Sequence, residues 1–291
     1  MTLTRRRFLT LSACACAHPA FATERHWSGR AFGADVSIAL TGRVDRLGAD
    51  LAAVVAEIAG LEARFSLFSP MSELQQLNAR GQGAISIEME EILRISRRVH
   101  RATEGLFDPT IQVLWQALAL GAEAGTARDL VDFSQVEIGL GRARLGPGQK
   151  LSLNGIAQGY ATDRIAALLS RRGYDQALIN IGEYAALGGP YTLGLSDPSA
   201  GRIGQVSLRG AALATSSPEG MRIGGAPHIL HPKGGRPLWS TVTVEAASAA
   251  LADACSTAMC LMDREQIETV QEVLGLRRVI LVDEAGDLTT I

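Results

Sequence analysis

The feature that most restricts what this chain can fold into is a switch of hydrophobic period along it. Leu47, Leu51, Val54, Val55, Ile58 and Leu61 recur at three- and four-residue steps, the stripe of an amphipathic helix. The same period returns over residues 88–103, 156–172 and 247–262. Between them stand apolar runs too short for helices, at 37–40, 177–181, 242–245 and 279–282, which read as strands. Segments 191–195 and 203–208 read as further strands of a sheet. Runs of strands broken by long helices make an α+β fold, with antiparallel or mixed sheets and flanking helices. No linker or shift of composition marks a second domain.

Turn signals punctuate the elements. The first helix ends near Phe65, and residues 66–70 form a loop before Ser72-Glu73-Leu74 opens a short helix. Residues 105–109 break the next helix, and Gly173 stops the one after. Residues 116–150 are rich in Ala and Gly and read as a surface excursion. Residues 224–237 form a loop dense in Gly, Pro and His. Residues 284–287 turn into Leu288.

The first 22 residues read as an export signal rather than as fold. Arg5, Arg6 and Arg7 precede Phe8-Leu9, a short apolar or small-residue run follows, and Ala20-Phe21-Ala22 is an A-x-A cleavage pattern. A twin-arginine start implies export of an already folded protein to the periplasm. Lipidation at Cys14, in Leu11-Ser12-Ala13-Cys14, is the alternative. Removal of residues 1–22 leaves 25 basic against 30 acidic side chains in a domain of residues 23–291. That balance offers no track for a nucleic-acid backbone. No later apolar run is long enough to span a membrane. The cysteines that remain, Cys255 and Cys260, sit five apart in a helical pattern. That spacing turns through about 140° and rises about 7.5 Å, which closes no disulfide.

Four segments carry the chemistry. They are Arg64-Phe65-Ser66-Leu67-Phe68-Ser69-Pro70-Met71-Ser72-Glu73-Leu74; Gly105-Leu106-Phe107-Asp108-Pro109-Thr110; Asn154-Gly155-Ile156-Ala157-Gln158-Gly159-Tyr160-Ala161-Thr162-Asp163; and His228-Ile229-Leu230-His231-Pro232-Lys233-Gly234, followed by Leu251-Ala252-Asp253-Ala254-Cys255-Ser256-Thr257. Asp253 and Thr257 are four apart, so on a helix they share one face, about 40° apart. A carboxylate and a hydroxyl are hard oxygen donors suited to Mg²⁺. The glycine-bracketed entry at 154–159 exposes main-chain N–H groups at a helix start, which suits a phosphate. Each signal alone has a plain structural reading as well, as a cap, a turn or a core contact.

Taken in order and spacing, these segments resemble the ApbE family of FAD:protein FMN transferases over roughly residues 27–285. The resemblance implies a single ApbE-like domain. It implies Mg²⁺ held by Asp253, Thr257 and the carbonyl of Ala157, with the FAD pyrophosphate completing the shell. It places Phe68, Ser72, Glu73 and Leu74 beside the isoalloxazine ring, Phe68 where relatives often carry Tyr. It places Asp108, Asn154, Gly155, Gln158 and Asp163 around FAD. His228 matches the first residue of a His-x-x-Asp-Pro-x-Thr-Gly motif. His suits general acid–base work near neutral pH, so His228 and Asp253 are the candidate catalytic residues.

The chain also departs from the family pattern. His231 stands where Asp is usual, Gly234 where Thr is usual, and Gln158 where Lys follows Gly-Ile-Ala. Ser152 replaces an Asp, Asn154 a Gly, and Asn180-Ile181-Gly182-Glu183-Tyr184 lacks the Gly-Gly-Asp. A positive charge and up to three carboxylates are thereby missing around the FAD site, as in a specialised, NosX-like exported subfamily. The implied activity is Mg²⁺-dependent transfer of FMN from FAD onto a threonine of an exported or membrane-anchored flavoprotein, with release of AMP. An FAD pyrophosphatase, or a non-catalytic protein that binds and delivers FAD, are the alternatives.

Overall fold

The computed structural model describes residues 24–41 and 46–291. The twin-arginine segment and Cys14 lie outside the described residues. Among the described residues eight α-helices run in chain order as α1 (Leu47–Phe65), α2 (Glu73–Arg80), α3 (Ile87–Ala102), α4 (Gln112–Ala119), α5 (Ala124–Arg128), α6 (Ala157–Arg171), α7 (Ala249–Met259) and α8 (Arg264–Leu274). Most of the α1 stripe is as the periodicity demands, with Val54, Ile58, Leu61 and Phe65 buried, but Val55, counted in the stripe, is 45% exposed.

The main sheet has eight strands: Glu24–Ala31, Ala34–Thr41, Gln176–Asn180, Tyr184–Leu187, Ala212–Ser216, Thr241–Ala246, Arg278–Val282 and Leu288–Thr290. Their order across the sheet is their order along the chain. Every neighbouring pair is antiparallel. Helices α1 to α6 are therefore inserted between the second and third strands, and α7 and α8 between the sixth and seventh.

Alternation along the strands divides the core in two. Ile179, Ala214, Val279 and Leu281 face the large cluster that includes Val54, Ile92, Ile165 and Ala254 of the helices. Leu178, Leu213 and Ile280 face the opposite way, against Leu193, Leu195, Val206 and Leu208. Those four belong to a separate hairpin, Tyr191–Asp197 with Gly201–Leu208. Segments 191–195 and 203–208, expected as strands of a sheet, are strands, and as a separate hairpin they cover the far face of the main sheet. With both faces covered, the central strand Thr241–Ala246 is buried along its whole length.

The 116–150 segment is more ordered than its composition suggests. It includes the second half of α4, all of α5, a 3₁₀ turn at Phe133–Gln135, and two short strands, Glu137–Gly139 and Arg142–Arg144. The second of these strands also pairs with Gln82–Ala84. Cys255 and Cys260 are buried and unbridged.

Candidate active site

The site is built where α6 meets α7. Gly159, in the first turn of α6, lies so close to α7 that a Cβ there would stand 2.3 Å from the Ala249 carbonyl oxygen. Only glycine permits that approach. It brings the Gly159 N–H to Asp253 Oδ2 at 3.0 Å. The positive end of α6 thus faces the Asp253 carboxylate. Gly155 makes a second close approach, with the position of its missing Cβ 2.9 Å from Thr257 Oγ1. Thr257 Oγ1 also lies 3.4 Å from Ser216 Oγ, on the fifth strand.

Asp163 sets the depth of α7. Its oxygens accept from Ala249 N at 2.7 Å, Ala250 N at 3.0 Å and Ser248 Oγ at 2.7 Å. These are the orphan donors of the α7 N-terminus. Expected around FAD, Asp163 instead holds the helix that carries Asp253 and Thr257, and it is not among the residues that line the cleft.

A cleft of about 740 Å³ opens over this contact. Asp108, Asn154, Gly155, Gln158, His228, Asp253 and Thr257 all line it. Seven residues from four distant segments of the sequence are thereby brought together. Ala157 lies between two of the lining residues, at the first position of α6. Ser152 lines the cleft as well.

Glu183 is the residue that sequence reasoning passed over. It follows Gly182, whose φ of +99° turns the chain between the third and fourth strands. The turn puts the Glu183 carboxylate in the cleft, accepting from Thr215 N at 3.1 Å. One of the carboxylates counted as missing is therefore supplied here, with one methylene more than Asp. The Gly-Glu pair in Asn180–Tyr184 was the available signal.

Asp253 and Glu183 are both buried, 4% and 6% exposed. Burial pushes Asp253 up to about 7, against the stabilising Gly159 N–H and with the nearby Asp163 charge adding to the rise. Burial, and then repulsion from Asp253, raises Glu183 well above the usual carboxylate range. Two buried acids that share a polar cleft without a basic side chain bonded to either are costly as anions. A cation bound between them would remove that cost. Among the described residues no group of three or more His, Cys, Asp or Glu forms a metal cluster. The oxygen donors available are the two carboxylates, a hydroxyl and main-chain carbonyls, a sparse hard set that leaves positions for water or phosphate, as Mg²⁺ prefers.

His228 faces the cleft with its tautomer fixed. Its Nδ1 lies 2.8 Å from the Pro218 carbonyl, an acceptor, so Nδ1 carries the proton and Nε2 the lone pair. Burial lowers its pKa from the ordinary 6.5, which keeps the ring neutral at pH 7. Asp108 also lines the cleft, but its carboxylate is occupied. It accepts from Thr110 N at 2.8 Å, Thr110 Oγ1 at 2.5 Å and Phe133 N at 2.9 Å.

The first motif is placed differently from expectation. Phe68, Ser72, Glu73 and Leu74 do not line the cleft. Ser72 is the N-cap of α2, its Oγ accepting from Gln75 N at 3.1 Å. Glu73 accepts from Ser86 N at 2.6 Å and Ser86 Oγ at 2.8 Å, which ties α2 to the start of α3. Leu74 is a core side chain with no exposure, and Phe68 is 73% exposed.

Comparison with known proteins now places the chain. The FAD:protein FMN transferase of Rhodobacter capsulatus is 28% identical over 249 residues, 74% of this chain and 47% of that protein. The chain thus spans about half the length of this curated relative. The structure of the flavin transferase ApbE from Vibrio cholerae superposes with a TM-score of 0.80 at 22% identity, over 93% of this chain and 97% of that one. The ApbE protein of Thermotoga maritima gives 0.83 at 22% identity, over 92% and 96%. These likenesses show the fold. The model of the ApbE family matches residues 32–280, and the chain belongs to that family.

Proposed function

We propose that this protein transfers FMN from FAD to a threonine hydroxyl of another protein, releasing AMP, with Mg²⁺ as its metal. The observation that carries the reading is the buried Asp253 carboxylate, raised to about 7 and bonded to the α6 N-terminus, facing a cleft beside Thr257. Mg²⁺ held by Asp253, Thr257 and the Ala157 carbonyl would neutralise charge on the FAD pyrophosphate.

The chain's own groups supply the rest. Main-chain N–H groups at 154–159 face the phosphates. His228 Nε2 takes the proton from the acceptor threonine as its oxygen bonds to the FMN-side phosphorus. The bond from that phosphorus to the bridging oxygen breaks, and AMP leaves with the electron pair. The acceptor supplies the nucleophile, so none is required within this chain. The Arg5-Arg6-Arg7 start supports action in the periplasm on an exported or membrane-anchored flavoprotein, as a NosX-like member would act.

The test is incubation of the protein with FAD, Mg²⁺ and a fragment of such a flavoprotein, read by intact mass. A gain of one FMN with one AMP released is the expected result. AMP without the mass gain would make water the acceptor and the protein a pyrophosphatase.

A further inference from the structure

A second cavity, of about 700 Å³, adjoins the cleft, and Asp108 and Pro232 line both. Arg97, Arg101, Arg128 and Lys233 line it. None of these four cations is ion-paired with a carboxylate among the described residues. Ten other arginines are: Arg30, Arg64, Arg94, Arg144, Arg164, Arg172, Arg222, Arg264, Arg277 and Arg278. What sets the cavity apart is that its four cations gather around one space with no acid bonded to any of them.

Three of these cations bond main chain instead. Arg97 donates to the Val136 carbonyl. Arg128 Nη1 donates to the carbonyls of His231 at 2.6 Å and Pro232 at 3.1 Å. Lys233 Nζ donates to the Glu104 carbonyl at 2.8 Å. Arg97 Nε is buried with no hydrogen-bond partner at all. The Arg97 guanidinium stacks over the Phe133 ring, 5.0 Å from its centroid, which fixes the fork in place. Burial, and then the neighbouring Arg101 charge, lower the Arg97 pKa, as expected of cations crowded together.

The acids of the cavity do not cancel this charge by contact. Asp108 is saturated by Thr110 and Phe133. Asp132 accepts from Ser134 N at 3.0 Å, Ser134 Oγ at 2.6 Å and Gln135 Nε2 at 3.0 Å. Glu104 and Asp129 are exposed and bridge to none of the four cations. An unsatisfied buried donor costs about 1–3 kcal/mol unless a partner arrives, and an oxyanion is the partner that a guanidinium fits best.

We propose that this cavity is an oxyanion pocket, which takes a carboxylate or phosphate belonging to a molecule engaged in the adjoining cleft. Two sources carry that chemistry: an acidic side chain flanking the acceptor threonine, and the phosphate of the departing AMP. The assignment of these sources rests on the transferase reading, whereas the pocket itself does not.

Calorimetric titration of the full chain tests it with four probes: inorganic phosphate, AMP, a threonine peptide flanked by glutamates, and the same peptide with glutamines. At least one oxyanion probe is expected to bind, and Arg101→Ala and Lys233→Ala each to weaken it about ten-fold. Arg222→Ala, at an exposed ion pair outside the cavity, leaves binding unchanged. Dependence on Arg101 for AMP and phosphate identifies the product as the source. Dependence for the glutamate peptide, with the glutamine peptide silent, identifies the acceptor. Binding by no probe overturns the proposal. So does binding that both variants leave within about two-fold, which would place the probe in the cleft. Asp253→Ala, tested in parallel for transfer, separates a failure of this pocket from a failure of the transferase reading.

Discussion

The α6–α7 contact and the Phe68–Leu74 segment were equally prominent as motifs, yet they do different work in the structure. At the α6–α7 contact, backbone meets backbone at Gly159, and a buried carboxylate faces a polar cleft. In the Phe68–Leu74 segment, Ser72 caps a helix, Glu73 ties two helices together and Leu74 fills the core. The first stores an unpaired charge where a ligand can reach it. The second satisfies every polar group it buries. A motif shared within a family marks a constraint, and the constraint is either chemical or architectural. Unsatisfied buried charge is the observation that separates the two.

Substitutions can break or sharpen this contrast. His228→Ala is expected to lower FMN transfer by about 100- to 10,000-fold while the melting temperature holds, as loss of a general base would. At saturating Mg²⁺, which would hold Asp253 ionised, wild-type transfer should keep its rate down to a pH below 6.5, because burial depresses the His228 pKa. The same shift bears on stability. The unfolded chain takes up the proton near 6.5 and the folded ring does so only lower, so stability falls as pH drops through that window. His228→Asn should flatten that slope in a pH series of thermal melts.

Gly159→Ala should destabilise the fold by about 3 kcal/mol, because the new Cβ meets main chain that cannot move aside. Chemical denaturation measures it, and an unchanged midpoint would mean that α6 and α7 sit further apart. Glu73→Ala loses both bonds from Ser86 and should cost about 1–2 kcal/mol, with FAD affinity unchanged. Phe68→Ala should fall within about 0.5 kcal/mol of wild type, since the residue is 73% exposed. A ten-fold loss of FAD affinity in that variant would return this loop to the flavin site and erase the contrast.

Much of this was legible because periodicity and motif order survive in the chain. The α1 stripe, the α7 pair Asp253 and Thr257, and the α+β class were readable. Tyr184–Leu187 and Ala212–Ser216 were not. Both strands are Ala-rich and buried on both faces, between the helices and the 191–208 hairpin, so no alternation marks them. The 191–208 strands read correctly as strands, but periodicity does not say which layer a strand joins. Helix α8 did carry a readable signature: Asp263 and Gln266 form a capping box and Gly275 ends the helix. Glu183 was hidden because its role depends on Gly182 turning it into the cleft that Asp253 also lines, a meeting of residues far apart in sequence. The cations of the second cavity come from three separate segments, and only Arg97 and Arg101, four apart on α3, share a readable spacing.

The central claim is that Asp253 holds the metal on which FMN transfer depends. The direct measurement is intact mass of an acceptor flavoprotein fragment after incubation with FAD, using wild type and Asp253→Ala, each with Mg²⁺ and with chelator. The account predicts a gain of one FMN only for wild type with Mg²⁺. Transfer by Asp253→Ala at a rate close to wild type, or transfer in chelator, would contradict it.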